Sequence, residues 1–303
     1  MNRSSLSLLV LFILTGLFVL PSFTSAETQQ PPTDEMIVRQ ADIAYLAADR
    51  AEKLDAYLPP DSFSGPHPAV LLIHGGGWRL GDKADARERE IGRTLASHGY
   101  AVFSINYLLN DSKREGNGPV VHTRVVWPRN LEDCEAALHW LQTEAVARYH
   151  VDPTRLAVMG GSAGGHLSLL LGATHPDKIR AIISLYGIGD LNEPHVQSLA
   201  SAFAGTTPEE TAARLAAASP LARIDAHTPP LFLAHGTADK IVPIEHARWL
   251  TRELQKRGAT YWYVEIAGAP HTFDLEPPQM DLRPTVLSFL EKHLGRPHRK
   301  DKP

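Results

Sequence analysis

Alternating strands and helices are the feature of this sequence that most constrains its fold. Short, nearly continuous apolar runs such as Ala69–Ile73 and Ala101–Ile105 are typical of strands buried on both faces. Helical patterns separate most of these runs, and crossovers of that length join parallel strands. We therefore predict an α/β fold with a mostly parallel central sheet of about eight strands and helices on both faces.

The predicted elements divide the chain as follows. The first two strands, Met36–Leu46 and Lys53–Leu58, form an antiparallel opening pair. Asp82 is predicted to cap a helix that ends near Ser97, and a second helix spans Asn130–Tyr149. The other predicted strands are Arg155–Met159, Ala181–Leu185, Leu231–Ala234 and Tyr261–Glu265, and the other predicted helices are Ala163–Ala173, Glu209–Ala217, Ile244–Lys256 and Pro284–Leu294.

The first 26 residues differ from the rest of the chain. Arg3 is their only charge, Leu6–Leu20 is almost entirely apolar, and Thr24-Ser25-Ala26 offers small residues for cleavage, which is the layout of a secretory signal peptide. The apolar run is shorter than the roughly 20 residues that cross a bilayer. We predict cleavage after Ala26, a secreted or periplasmic location and no stable membrane insertion; the alternative is an uncleaved anchor.

Three further segments follow the predicted signal peptide. Residues 27–35 are polar and rich in proline, and are predicted to form a flexible leader. Residues 36–295 hold the alternating pattern and are predicted to form one folded domain. Residues 296–303 form a basic tail, which is predicted to be a frayed and solvated terminus.

Composition excludes several classes of protein. Apolar residues make up 43% and charged residues 21% of the chain, as in soluble globular proteins, which excludes a disordered chain or a multi-span membrane protein. The formal net charge of −4 argues against binding nucleic acid. Cys134 is the only cysteine, so no intramolecular disulfide forms, and its apolar helical surroundings predict a core residue.

The segment Gly160-Gly161-Ser162-Ala163-Gly164 fits the pattern G-x-S-x-G between a predicted strand and a predicted helix. In that context the serine sits on a sharp turn that exposes its hydroxyl, and the helix N-terminus behind it favours developing negative charge. Ser162 is therefore the predicted nucleophile. The alternative is a glycine-rich packing turn.

A glycine-rich loop, His74-Gly75-Gly76-Gly77-Trp78, follows the strand Ala69–Ile73 directly. Such a loop presents bare N–H groups at the strand's end, and acyl transfer needs donors of this kind around an oxyanion. We assign the N–H groups of Gly76, Gly77 and Ala163 to this oxyanion hole. A phosphate site is disfavoured, because the chain contains neither G-x-x-x-x-G-K-[ST] nor G-x-G-x-x-G.

A serine nucleophile needs a base and an orienting carboxylate. Asp239 follows the strand Leu231–Ala234, and His271 follows the strand Tyr261–Glu265. In a parallel sheet both loops lie at the edge that also carries Ser162. We predict His271 as the base and Asp239 as its partner, in the chain order serine, aspartate, histidine.

Other residues compete for these roles. Asp190 is the alternative acid, whereas His246 and His293 fall in helical patterns and are interpreted as surface residues. Trp78 and His166 are candidate pocket residues, although a packed helix position is favoured for His166. No metal site is predicted, because the chain has no H-E-x-x-H and no cysteine–histidine cluster, and the chemistry needs no cofactor.

The motifs together resemble a known family. They are similar to those of the α/β-hydrolase serine esterases, in the branch of bacterial acetyl-xylan and feruloyl esterases related to the hormone-sensitive-lipase group. The resemblance spans about Ala41 to Leu294 and implies the same triad and oxyanion donors; the polar segment Leu108–Arg124 departs from it. The matching segments are His74–Trp78, Gly81–Lys83, Gly160–His166, His235–Pro243 and His271.

These inferences converge on an exported serine carboxylic-ester hydrolase. By analogy with the family, its substrates are short acyl, acetyl or feruloyl esters of polysaccharide. The alternatives are a peptidase or amidase of the same fold, a non-catalytic binding protein and a membrane-tethered esterase. Two long connections, Leu108–Val126 and Gly187–Arg223, are interpreted either as pocket walls or as surface elaborations. The sequence specifies no oligomeric state.

Overall fold

The structure is a computed structural model that describes residues 37–114, 116, 118 and 120–300. An eight-stranded sheet with the order β1-β2-β5-β4-β8-β9-β10-β11 forms its centre. The predicted α/β fold is confirmed. The sheet strands are β1 (Val38–Ile43), β2 (Leu54–Leu58), β4 (His67–Ile73), β5 (Ala101–Ile105), β8 (Val151–Gly161), β9 (Ala181–Leu185), β10 (Leu231–Gly236) and β11 (Tyr261–Ile266), and short strands outside it are β3 (Phe63–Ser64), β6 (Asp111–Lys113), β7 (Val121–Arg124) and β12 (His298–Arg299).

Most of the sheet is parallel, as predicted. β2 pairs antiparallel with both β1 and β5, whereas every pair from β5 to β11 is parallel. In this register Ile73 lies beside Gly160, and Gly160 lies beside Ser184. The carboxyl ends of six neighbouring strands therefore meet at one edge of the sheet.

Helices cover both faces of the sheet, and each face buries an apolar layer. Along β4, Leu71 and Ile73 belong to one layer and Val70 and Leu72 to the other, because successive side chains point to opposite faces. Cys134 lies in the first layer, as expected for a core residue. The helices are α1 (Ala86–Ser97), α2 (Arg129–Gln142), α3 (Glu144–Tyr149), α4 (Ala163–Thr174), α5 (Pro208–Ala218), α6 (Ile244–Lys256) and α7 (Arg283–Leu294), and 3₁₀ segments span Pro194–Phe203 and Pro220–Ala222.

Two helix boundaries differ from the prediction. α1 begins at Ala86 with Asp85 as its N-cap, because the Asp82 carboxylate accepts hydrogen bonds from the Ala84 N–H and the Asn106 amide, each at 2.8 Å. The predicted helix over residues 130–149 is two helices, broken at Thr143, where ψ is −78°.

The basic tail also differs from the prediction. β12 pairs antiparallel with β3, and the Lys300 N–H donates to the Ser62 carbonyl at 2.9 Å. The Arg299 guanidinium lies over the Phe63 ring at 5.2 Å. Residues 298–300 are therefore paired with the domain rather than frayed. The predicted signal peptide (residues 1–26), the leader (residues 27–35) and residues 301–303 lie outside the described residues.

Candidate active site

Ser162 occupies the turn between β8 and α4 in a strained backbone conformation, with φ 54° and ψ −121°. Its N–H donates to the Leu185 carbonyl at 2.9 Å, which holds the turn against β9. The turn is tight enough to require glycine on either side. A Cβ on Gly160 would lie 2.4 Å from the Gly164 carbonyl carbon, and one on Gly164 would lie 2.0 Å from the Ile73 oxygen. Such strained positions concentrate at functional sites.

The structure brings the three predicted triad residues together. Ser162 Oγ lies 2.9 Å from His271 Nε2, and His271 Nδ1 lies 2.7 Å from Asp239 Oδ2. The three side chains come from the ends of β8, β10 and β11, which the parallel sheet places at one edge. This chain of contacts is the arrangement in which an imidazole accepts a serine proton while a carboxylate holds its tautomer.

The carboxylate of Asp239 is buried, and both of its oxygens have hydrogen-bond partners. Its Oδ1 accepts the N–H groups of Ile241 at 2.8 Å and Val242 at 2.9 Å, and its Oδ2 lies 3.2 Å from His235 Nε2 as well as beside His271. Burial alone would raise the pKa of Asp239, but the hydrogen bonds from His235 and His271 outweigh it and lower that pKa. Asp239 therefore stays ionised beside His271. The sequence analysis missed the contact with His235.

The glycine-rich loop adopts a left-handed backbone over three successive residues. φ is 108° at Gly76, 61° at Gly77 and 56° at Trp78. A Cβ on Gly76 would lie 2.0 Å from the Leu80 carbonyl oxygen, so the loop closes only with glycine there. Within residues 37–114 and 120–300, the N–H groups of Gly76 and Gly77 donate to no protein acceptor. Ala163 is the first residue of α4, where N–H groups have no partner within the helix.

The buried side chain of His74 contacts the backbone of this loop. Its ring stacks on Tyr107 with the centroids 4.4 Å apart, and its Nδ1–H donates to the Gly75 carbonyl at 2.7 Å. Burial lowers the pKa of His74 to about 4, so the imidazole is neutral at neutral pH. His74 therefore helps to fix the orientation of the loop.

A cavity of about 1040 Å³ opens beside Ser162 and His271. Both long connections contribute to its wall. The hairpin of β6 and β7 supplies Arg114, Val120 and His122, and the 3₁₀ segment Pro194–Phe203 supplies Ser198, Leu199, Ser201 and Ala202. Of the two interpretations offered for these connections, the structure therefore supports pocket walls.

The profile of the BD-FAE family matches residues 54–254. The chain belongs to the BD-FAE family. This confirms the resemblance to α/β-hydrolase esterases that the motifs indicate.

Curated relatives of this BD-FAE protein include two from Mycobacterium tuberculosis. It is 30% identical over 255 residues to the probable carboxylic ester hydrolase LipM, an alignment that covers 77% of this chain and 56% of LipM. It is 29% identical over 248 residues to the esterase LipC, covering 75% of this chain and 58% of LipC. The chain thus spans just over half the length of these relatives.

Solved structures share the fold of the BD-FAE protein. A truncated carbohydrate esterase from gut microbiota superposes with a TM-score of 0.73 at 20% identity, covering 88% of this chain and 100% of the other. Butyrate-bound esterase Est2 from Thermogutta terrifontis gives a TM-score of 0.63 at 24% identity, covering 88% and 97%. These likenesses show the α/β-hydrolase fold.

The two candidate pocket residues of the BD-FAE protein take different positions. Trp78 lines the cavity, but His166 is fully buried behind it and does not belong to the described wall. The indole Nε1–H of Trp78 donates to His166 Nδ1 at 3.3 Å, and His166 Nε2–H donates to the Ala218 carbonyl at 2.7 Å. Burial lowers the pKa of His166 to about 4. Of the two interpretations of His166, its burial therefore supports the packed position, from which it fixes the orientation of Trp78.

The three alternative triad residues take other positions in the fold. Asp190 Oδ1 accepts a hydrogen bond from Ser219 Oγ at 2.8 Å, away from the triad. His246 is fully buried rather than on the surface, because its ring bridges Glu193 Oε2 and the Gly189 N–H, each at 3.0 Å. His293 lies half-buried on α7.

Two residues of the site were missed by sequence reasoning, Tyr186 and Arg87. The Tyr186 ring packs its edge against the His271 ring at 4.8 Å, and its hydroxyl accepts a hydrogen bond from Arg87 Nη1 at 2.8 Å. Arg87 also pairs with Glu88. Burial disfavours the charged guanidinium, but Tyr186 and Glu88 outweigh it and raise the pKa of Arg87. Arg87 therefore remains a cation in the wall of the cavity.

Two further properties concern the described residues as a whole. Residues 37–114 and 120–300 contain no cluster of three histidine, cysteine or acidic side chains able to hold a metal ion. In the same part of the chain, no helix is both long enough and apolar enough to cross a membrane.

Proposed function

We propose that the protein is a serine carboxylic-ester hydrolase that acts through a covalent acyl-enzyme. The observation that carries this proposal is the continuous contact from Ser162 Oγ through His271 to Asp239 beside an open cavity. The names of LipM and LipC support the same chemistry.

In the first half of the reaction, Ser162 Oγ attacks the ester carbonyl carbon while His271 Nε2 accepts the hydroxyl proton. Asp239 stabilises the imidazolium that forms and stays ionised, as its lowered pKa requires. Collapse of the tetrahedral intermediate breaks the bond to the alcohol oxygen, and His271 returns its proton to that oxygen. The alcohol leaves, and the acyl group stays on Ser162.

In the second half, a water molecule attacks the acyl carbon while His271 Nε2 takes a proton from it. Collapse of this second intermediate breaks the bond to Ser162 Oγ, His271 returns the proton to that oxygen, and the carboxylic acid leaves. Both tetrahedral intermediates carry a negative oxygen, and we assign its stabilisation to the N–H groups of Gly76, Gly77 and Ala163. Preorganised donors of this kind contribute about 3–4 kcal/mol each to transition-state stabilisation. The left-handed backbone at Gly76 and Gly77 is consistent with this role, because the closed loop holds the donors in place before substrate arrives.

The proposed location is outside the cytoplasm, and the proposed substrates are short acyl, acetyl or feruloyl esters of polysaccharide. The signal-peptide pattern of residues 1–26 supports export, and an exported hydrolase meets polymers. The structural likeness to a protein named a carbohydrate esterase supports the substrate class. N-terminal sequencing of the exported protein tests the proposed location. We expect Glu27 to be the first residue.

The decisive experiment is hydrolysis of p-nitrophenyl acetate, butyrate and octanoate by the wild type and Ser162→Ala. We expect the variant to lose about six orders of magnitude in kcat, since removal of the nucleophilic serine of a triad has that effect. Ser168→Ala is the matched control, because Ser168 lies on the same α4 with a buried hydroxyl that has no partner among the described residues. Absence of ester hydrolysis by the folded wild type would refute the proposal and direct the work to amides.

A further inference from the structure

Some charged side chains in the cavity wall have an ion-pair partner among the described residues, and others have none there. Among the described wall residues, Arg79, Arg87 and Arg114 are cationic and Asp85 and Glu88 are anionic. Arg87 and Glu88 form an ion pair and cancel each other. Asp85 is the N-cap of α1, and its carboxylate accepts the N–H of Asp82 at 3.1 Å. Arg79 and Arg114 make no ion pair with any described residue, so their charges remain available.

The hairpin geometry explains why one set of its side chains meets the cavity. Lys113 pairs with Val121 and Ser112 pairs with His122, so the next opposed pair is Arg114 and Val120. Opposed residues share a face of an antiparallel pair, and side chains two positions apart share it as well. Arg114, Val120 and His122 therefore present a common face, and all three line the cavity.

Arg79 completes this wall from a second element, the loop that follows Gly76 and Gly77. It lies close enough to His122 for its charge to lower the pKa of that imidazole, in addition to the larger effect of burial. His122 Nδ1 is buried and has no hydrogen-bond partner within the described part of the chain. Two guanidinium groups without an ion-pair partner among the described residues thus flank an imidazole whose Nδ1 is equally unpaired there, at the wall of the cavity that holds Ser162.

We propose that Arg79, Arg114 and His122 bind a carboxylate carried by the substrate, so the enzyme prefers esters that bear an acid group near the scissile bond. This deepens, and rests on, the proposed esterase function. A guanidinium matches a carboxylate with two parallel hydrogen bonds, and the site's two arginines come from separate elements that face the same space. The carboxylate belongs either to the alcohol part, as in an acetylated uronic acid, or to the acyl part, as in a monoester of a dicarboxylic acid.

The test compares matched acidic and neutral esters. One arm uses acetylated methyl glucuronide against acetylated methyl glucoside, and the other uses p-nitrophenyl hemisuccinate against p-nitrophenyl butyrate. The readout is the ratio of kcat/KM for the acidic ester to that for the neutral ester. We expect this ratio to fall up to about fivefold in Arg79→Gln and again in Arg114→Gln at low salt, and to fall in the wild type as salt rises.

Arg124→Gln is the matched control. Arg124 is on the same hairpin but outside the cavity wall, where its Nε pairs with Asp111 at 2.7 Å. We expect it to keep the wild-type ratio, and the arm whose ratio responds identifies which part of the substrate carries the acid. A wild type with no preference for acidic esters in either arm, or equal losses in Arg124→Gln, would overturn the inference. Failure to hydrolyse even the neutral esters would instead refute the proposed function.

Discussion

The hydroxyl of Tyr186 donates a hydrogen bond to the carbonyl oxygen of Phe273, 2.9 Å away. Phe273 is two residues beyond His271, and Tyr186 directly follows β9. This bond therefore ties the loop that carries the proposed base to the strand beside the nucleophile. The T-shaped contact between the Tyr186 and His271 rings adds a second restraint on the imidazole.

Tyr186→Phe tests this restraint, because it keeps the ring and removes only the hydroxyl. We expect kcat to fall about tenfold with little change in KM, since a small misplacement of His271 weakens proton transfer more than ester binding. Steady-state kinetics on p-nitrophenyl acetate checks this. Tyr263→Phe is the control, because its hydroxyl contacts Glu265 on β11 rather than the His271 loop. A raised KM with unchanged kcat would contradict the positioning role.

Gly164→Ala tests the close approach of α4 to β4. The new methyl group would lie 2.0 Å from the Ile73 carbonyl oxygen, so helix and strand must separate. We expect kcat/KM to fall by about two orders of magnitude, since an ångström of misplacement has that effect. At Gly172, on the same helix, a Cβ would meet the Ile182 side chain, with Cδ1 at 2.3 Å and Cγ1 at 2.4 Å, rather than the backbone of a neighbouring strand. Gly172→Ala should remain active, and equal losses in both variants would argue against the specific role of Gly164.

Asn110→Asp tests the hydrogen bonds that join the two long segments of the cavity wall. The buried Asn110 donates from Nδ2 to the Ala202 carbonyl at 2.9 Å and accepts the Val126 N–H at 2.8 Å. A carboxylate cannot donate to Ala202, so the variant leaves a buried carbonyl unpaired at a cost of about 1–3 kcal/mol. We expect a lower Tm and a KM raised severalfold. An unchanged Tm would show that the 3₁₀ segment is held without this bond.

The sequence predicts the sheet and the triad because both leave local signals. Apolar runs mark β4 and β8, and Ser162, Asp239 and His271 each follow such a run within a few residues. Parallel pairing then places the three loops at one edge, so no knowledge of long-range contacts is needed. The oxyanion loop is predictable for the same reason, since its glycines follow β4 directly.

The parts that escaped prediction depend on contacts between distant residues. Arg87 meets Tyr186 across 99 positions, and no pattern near either residue indicates the pairing. α1 starts later than Asp82 because Asn106, 24 positions away, binds that carboxylate. His246 has the spacing of a surface helix residue, but Glu193 satisfies its ring in the core. Local capping and periodicity rules carry no information about such partners.

The two buried histidines beside the site predict a dependence of stability on pH. The pKa of His74 and that of His166 are each about 4 in the folded protein, below the value of about 6.5 in an unfolded chain. Between these values the unfolded chain binds more protons, so acid favours unfolding. The stabilisation is complete above pH 6.5 and is lost as the pH falls towards 4. At pH 5, each histidine should lower the free energy of unfolding by about 2 kcal/mol relative to its value well above pH 6.5.

Urea unfolding of His166→Gln at pH 7.5 and pH 5 measures this contribution. Glutamine does not titrate, and its amide offers a donor for the Ala218 carbonyl and an acceptor for the Trp78 indole. We expect the variant to be less stable than the wild type at pH 7.5 but to lose about 2 kcal/mol less between the two pH values. His227→Gln is the control, because His227 is exposed and should leave the wild-type pH dependence unchanged. Parallel pH profiles for wild type and His166→Gln would mean that His166 takes up no proton on unfolding, which contradicts a neutral, buried imidazole behind Trp78.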